Sequence, residues 1–194
     1  MSRLPLVDPE RTAGDLRAAF DRMPIKLNIF RMLAHAETDA LPVMRLGNAI
    51  LHRQTLSDRC RELLILQVAQ RQGGTYEWRQ HVPIAEGLGV SAAQIAAIEA
   101  GQYASSTFDE AERALLAFGE RVIDDVRVDD ATFGRTREHF ADREIVEIIL
   151  TIGFYMMMAR LTEATQTELD APGGVALFET GRNRGRKPEA TSGS

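Results

Sequence analysis

An all-α fold is predicted by three features of the sequence. Apolar residues recur mostly at helical rather than alternating spacing. No Asn-Gly or Asp-Gly pair marks a β-hairpin. Capping residues, prolines and glycines divide the chain into helix-length segments.

After an extended arm over residues 1–12, containing Pro5 and Pro9, a first helix fits Ala13 to Met23 and ends at Pro24. A second spans about Lys26 to Ala36. Thr38-Asp39 can cap a third through Leu46 and Ile50. Ser57-Asp58 offers cap oxygens for a helix carrying Leu63, Leu64, Ile65, Leu66, Val68 and Ala69, which stops at Gly73-Gly74. Thr75 to Leu88 follows, closed by Gly89, and Pro83 within it predicts a kink or a late start. Ser91 caps Ala92 to Ala100, and Asp109 starts a helix with Ala114, Leu115, Phe118, Val122 and Ile123 on its buried stripe. A short helix fits Asp130 to Phe140. The last helix runs from about Asp142 to Leu169 and is apolar nearly all round from Ile145 to Leu161, as expected of a helix covered on every side, centrally or between subunits.

The core domain is therefore placed at residues 13–170, with a flexible tail over 171–194 whose last part, Gly181 to Ser194, is rich in Gly, Arg, Lys, Pro and Ser. There is also a weak internal echo. Leu56-Ser57-Asp58-Arg59 before Leu64-Ile65-Leu66 resembles Phe140-Ala141-Asp142-Arg143 before Ile148-Ile149-Leu150, with Glu62 and Glu147 one step out of register.

Composition narrows the function. A net charge of −5 argues against nucleic acid as a partner, and an aromatic content of 6% argues against a base-stacking surface. The single cysteine, Cys60, leaves no intrachain disulfide and no thiolate metal cluster. The N-terminus lacks a signal-peptide run, and the uncharged stretch Ile148 to Ala159 is shorter than the ~20 residues a bilayer demands. A cytoplasmic protein with no membrane partner is the expectation.

The chemistry concentrates between Arg61 and His81. Glu62 lies on an apolar-rich helix, and Glu77 and His81 stand four residues apart on one face of the next. Two carboxylates beside an imidazole suit proton transfer, because histidine titrates near neutrality and a carboxylate tunes it. The plainer alternatives are a core histidine bonded to Glu77 or a carbonyl, a surface pair at Glu77, and a Glu62 favoured by the helix dipole or by Arg59 or Arg61. Tyr76 and Trp78 are candidates to line a pocket, the tyrosine hydroxyl donating to a substrate oxygen, or else are packing residues. Arg71 and Arg79 are candidates to hold a substrate carboxylate, or else are solvated. Met156, Met157 and Met158 are adaptable filler that could line a pocket. His35, His52 and His139 show no ligand spacing to His81, and no metal site is assigned.

The blocks Arg61-Glu62-Leu63-Leu64-Ile65-Leu66-Gln67-Val68-Ala69, Tyr76-Glu77-Trp78-Arg79-Gln80-His81-Val82-Pro83-Ile84-Ala85 and Leu88-Gly89-Val90-Ser91-Ala92-Ala93-Gln94-Ile95 resemble the carboxymuconolactone decarboxylase family. That superfamily also holds the AhpD-type alkylhydroperoxidases. Met23 to Leu33 and Ile152 to Met157 extend the resemblance, which reaches about Asp170. It implies an AhpD-like helical fold in a homo-oligomer (dimer, trimer or hexamer), a small-molecule substrate and no cofactor. The peroxidase branch has a Glu, then Cys-x-x-Cys, then His. Glu62 and His81 fall on the Glu and His positions, but Gly74 and Glu77 stand where the cysteines would be.

Without an attacking and a resolving thiol, peroxide chemistry of that kind is excluded. The resemblance then implies a decarboxylase-like lyase for a small carboxylated lactone or related acid. His81 would move the proton, Glu77 would orient it and Glu62 would relay. A redox or detoxifying relative without the cysteine pair and a non-catalytic ligand-binding oligomer are the alternatives.

Overall fold

The protein is described by a computed structural model over residues 1–170, 175–176 and 178–180. A short 3-10 helix, Pro9–Arg11, lies inside the arm and is followed by α1 (Gly14–Asp21), α2 (Asn28–Leu33) and α3 (Glu37–Arg53). Then come α4 (Asp58–Gln72), α5 (Thr75–Gly87), α6 (Ala92–Glu99), α7 (Glu110–Asp124), α8 (Asp130–Arg137) and α9 (Asp142–Thr165). Among the described residues there is no strand.

Helix α4 is the axis of the molecule. Ser57 Oγ accepts from the Cys60 amide at its start, and Gly73, at φ 65°, closes its last turn in a left-handed conformation that costs a glycine little. Between them every residue from Arg61 to Ala69 is buried, so the middle of α4 leaves no face to solvent. It packs against α5, α9, α7 and α6. Leu63, Leu64, Ile65 and Leu66 are fully enclosed in the main core with Ile98, Leu115, Phe118, Ile148 and Ile152. Each such side chain contributes about 1.5–3 kcal/mol of burial free energy. The two echoing segments of the sequence are α4 and α9, and they lie against each other.

Several boundaries differ from expectation. Thr38 and Asp39 do not cap α3, because the helix already begins at Glu37 and they fall in its first turn. α5 runs through Pro83 without a break, held on two sides by α4 and α9. The single chain covers the inner face of α9. Val146, Ile149, Leu150 and Met157 are 42–56% exposed and, at helical spacing, form one apolar stripe on its outer face. This helix is long and apolar enough to cross a membrane by composition, yet half of its most apolar window is buried inside the domain. In the tail expected to be flexible, Phe178 is helical and buried, and residues 171–174, 177 and 181–194 lie outside the described set.

Candidate active site

Two neighbouring helices bring the first two candidates together. Glu62, one turn into α4, is completely enclosed, and its Oε2 lies 2.7 Å from Nδ1 of His81 on α5. A carboxylate only accepts, so Nδ1 carries the hydrogen, and in the neutral imidazole Nε2 then holds the lone pair. The edge of the His81 ring meets the Tyr155 ring at 5.0 Å and 89°. Burial, and then the charge of Glu62, raises the Tyr155 hydroxyl pKa well above its ordinary value, so this phenol is a neutral wall of the site.

Glu77 is not the partner of His81. Its two carboxylate oxygens each lie 3.1 Å from the Thr162 hydroxyl on α9. Burial raises its pKa, partly offset by the bonds to its own amide and Thr162 and by the charge of His81. Sharing a helix face brought Glu77 near the imidazole, but α4 supplies the carboxylate that orients it. Gly74 belongs to the same arrangement. A Cβ built there would stand 2.8 Å from Glu77 Oε2 and 3.1 Å from Ala159 Cβ, so the carboxylate fills the space a side chain at 74 would use.

Tyr76 has its hydrogen committed elsewhere. Its hydroxyl donates to Asp170 and accepts from the Ile29 amide at 3.3 Å, pinning α5 to α2 and to the segment after α9. Burial and the bond to Asp170 raise its pKa, so it lines the cavity as an engaged phenol rather than as a free donor. Trp78 is half-buried against the main core and away from the cavity wall. Arg71 pairs with Glu120 at 3.0 Å and with Asp124, over the Tyr103 ring. Arg79 is exposed. Neither arginine lines the cavity: Arg71 is turned toward α7 and Arg79 toward solvent, on faces of α4 and α5 other than those of Glu62 and His81.

The cavity measures about 680 Å³ and lies among α1, α2, α3, α5 and α9. Its walls are largely apolar, with Phe30, Met44, Ile84, Phe154 and Met158 among them, while His52, Glu77, Gln80 and His81 supply polar groups. Of the methionine run, only Met158 lines this space: Met156 packs on the core and Met157 faces outward. Among the described residues no group of three or more His, Cys, Asp or Glu is arranged to hold a metal.

Sequence reasoning missed three participants. His52 carries no spacing signal to His81 yet lines the same cavity, its pKa lowered by burial and then by the charge of Arg61. Phe178 closes the cavity from beyond α9. Arg61 is the third, 1% exposed, with NH1 2.8 Å from Asp58 and Nε 3.5 Å from Glu62 Oε1. A signal for it existed: a charged pair opening a run with no other charge through Ala69 must be buried with that run.

Comparison with known proteins agrees with this architecture. Residues 42–120 match the carboxymuconolactone decarboxylase family model. A protein of unknown function from Agrobacterium tumefaciens, with a suggested antioxidant-defence AhpD role, superposes with TM-score 0.65 at 27% identity, over 71% of this chain and 95% of that one. The alkylhydroperoxidase AhpD core of an uncharacterised peroxidase-related protein from Ralstonia eutropha gives TM-score 0.76 at 20% identity, over 93% and 96%. A debrominase solved with 2,3,4-tribromopyrrole gives 0.67 at 19%, over 84% and 88%. No curated protein matches the chain. Glu62 and His81 are hydrogen-bonded inside the segment that matches the carboxymuconolactone decarboxylase family model, residues 42–120, and the helices around it form an AhpD-like fold.

Proposed function

We propose that the protein is a cofactor-free acid–base lyase that decarboxylates a small carboxylated lactone or related acid. The observation that carries this reading is the enclosed Glu62–His81 hydrogen bond of 2.7 Å beside an apolar cavity that His81 lines. An imidazole fixed at Nδ1 by a carboxylate has its second nitrogen available for proton transfer. His81 would first take the proton of the acid at Nε2; the C–CO₂ bond would then break with its electron pair passing into the adjacent carbonyl, CO₂ would leave, and His81 would return that proton to carbon. Glu62 would balance the imidazolium, and the apolar walls would keep water from quenching the intermediate. The debrominase's tribromopyrrole, a small planar ring, supports a ligand of similar dimensions here.

The test is CO₂ release from a panel of carboxylated lactones and related acids by wild type, His81→Gln and Glu62→Gln. His81→Gln is expected to lose about 10²–10⁴-fold in kcat while keeping its helical circular dichroism. Turnover that survives the substitution removes His81 from the mechanism.

The protein is also proposed to act as a homo-oligomer, supported by the outward apolar stripe of Val146, Ile149, Leu150 and Met157 on α9.

A further inference from the structure

Arg61 is an anomaly of this interior. Of its three guanidinium nitrogens, NH1 bonds to Asp58, whereas Nε and NH2 are buried and make no hydrogen bond among the described residues. The Nε ion pair with Glu62 is long at 3.5 Å, and Glu62 Oε1 likewise has no hydrogen bond among the described residues. Buried guanidinium donors are costly to leave without hydrogen bonds, so these two call for an acceptor. What covers this guanidinium is the ring of Phe178, 5.5 Å from its carbon and 5.5 Å from the centre of the His52 ring. His52 and Phe178 both line the cavity, so the ring of Phe178 stands between the cavity and Arg61.

We propose that Arg61 is the carboxylate anchor of the ligand site and that Phe178 is a displaceable plug occupying the place of the ligand's own ring. An anionic planar ligand would exchange one aromatic face for another beside His52. It would also supply an acceptor for Nε and NH2, in the paired geometry that suits a carboxylate. This assigns the role that neither Arg71 nor Arg79 is placed to fill. The inference deepens the lyase reading by naming the residue that holds its acid, but it concerns binding and not turnover.

The test is calorimetric titration with benzoate and with its neutral isostere benzamide, on the full-length wild type, Phe178→Ala, and Phe178→Ala combined with Arg61→Lys or Arg61→Gln. Removing the plug is expected to tighten benzoate about tenfold with little change for benzamide, and either Arg61 substitution to erase that preference. A crystal structure of Phe178→Ala with benzoate keeps the idea testable should the Arg61 variants fail to fold. A carboxylate within hydrogen-bond distance of Arg61 NH2 supports it. Equal binding of the two probes, or a carboxylate held instead by Arg22, Arg45 or Arg53 around the cavity, overturns it. Because no turnover enters, a failed lyase reading leaves this result standing. Binding independent of Arg61 would in turn leave the Glu62–His81 chemistry untouched.

Discussion

At the scale of single residues, burial acts on Glu62 and Glu77 with different consequences. Glu62 has His81 as a hydrogen-bond partner and Arg61 as a countercharge. Glu77 has the Thr162 hydroxyl, and burial leaves its pKa raised above the ordinary glutamate value of 4.5. A carboxyl group whose pKa is raised on folding binds its proton more tightly in the native state. Its contribution to stability is therefore fully present below the unfolded pKa and is lost as pH rises through the folded one. Glu77→Gln removes that loss. Urea unfolding of the two proteins from pH 4 to pH 8 should show the variant gaining on wild type as pH rises. A constant difference across the range would mean that Glu77 is not the group responsible. His52 has the opposite sign. Its lowered pKa predicts an imidazole that titrates below 6.5 by NMR, because burial and the charge of Arg61 oppose a second positive charge.

At the scale of elements, the site depends on how closely helices approach α4. Gly119 on α7 is one such contact: a Cβ there would lie 2.3 Å from Gln67 Oε1 and 3.2 Å from Leu64 Cδ2. Gln67 cannot swing aside freely, because it is fully buried and its Nε2 donates to Leu116 O at 2.7 Å. Gly119→Ala should therefore cost about 1–3 kcal/mol of stability by overpacking. Chemical denaturation would show this as a lower midpoint with an unchanged slope, and no shift in midpoint would mean that α7 moves away at little cost. A second device ties three elements through Arg59. It bonds Glu112 at 2.9 Å and Gln94 at 2.8 Å, while Gln94 and Glu112 complete the capping boxes of α6 and α7. Helix starts that look local in the sequence are thereby locked to α4.

For the whole molecule, α9 has two tasks. Its inner face packs on α4 and α5 and supplies Tyr155, Met158 and Thr162 to the site. Its outer face leaves Val146, Ile149, Leu150 and Met157 bare. If a second copy covers that stripe, Leu150→Glu combined with Val146→Glu should shift the protein to a smaller species in sedimentation velocity while leaving its circular dichroism intact. An unchanged assembly would place the interface elsewhere.

The helices were legible from sequence because their causes are local. Ser57, Ser91 and Asp109 do cap α4, α6 and α7, and Gly73 does end α4. The same locality shows why Glu62 and His81 could be singled out, since each lies on a recognisable motif block. Only the tertiary structure decided which carboxylate orients the imidazole. The pairing of α4 with α5 sets Glu62 against His81, and the pairing of α5 with α9 draws Glu77 to Thr162. It also decided that His52 and Phe178, 126 positions apart (178 − 52), share one cavity wall. Spacing along a helix predicts which side chains share a face. Which neighbour meets that face depends on packing between segments far apart in the chain, and no local pattern encodes that meeting.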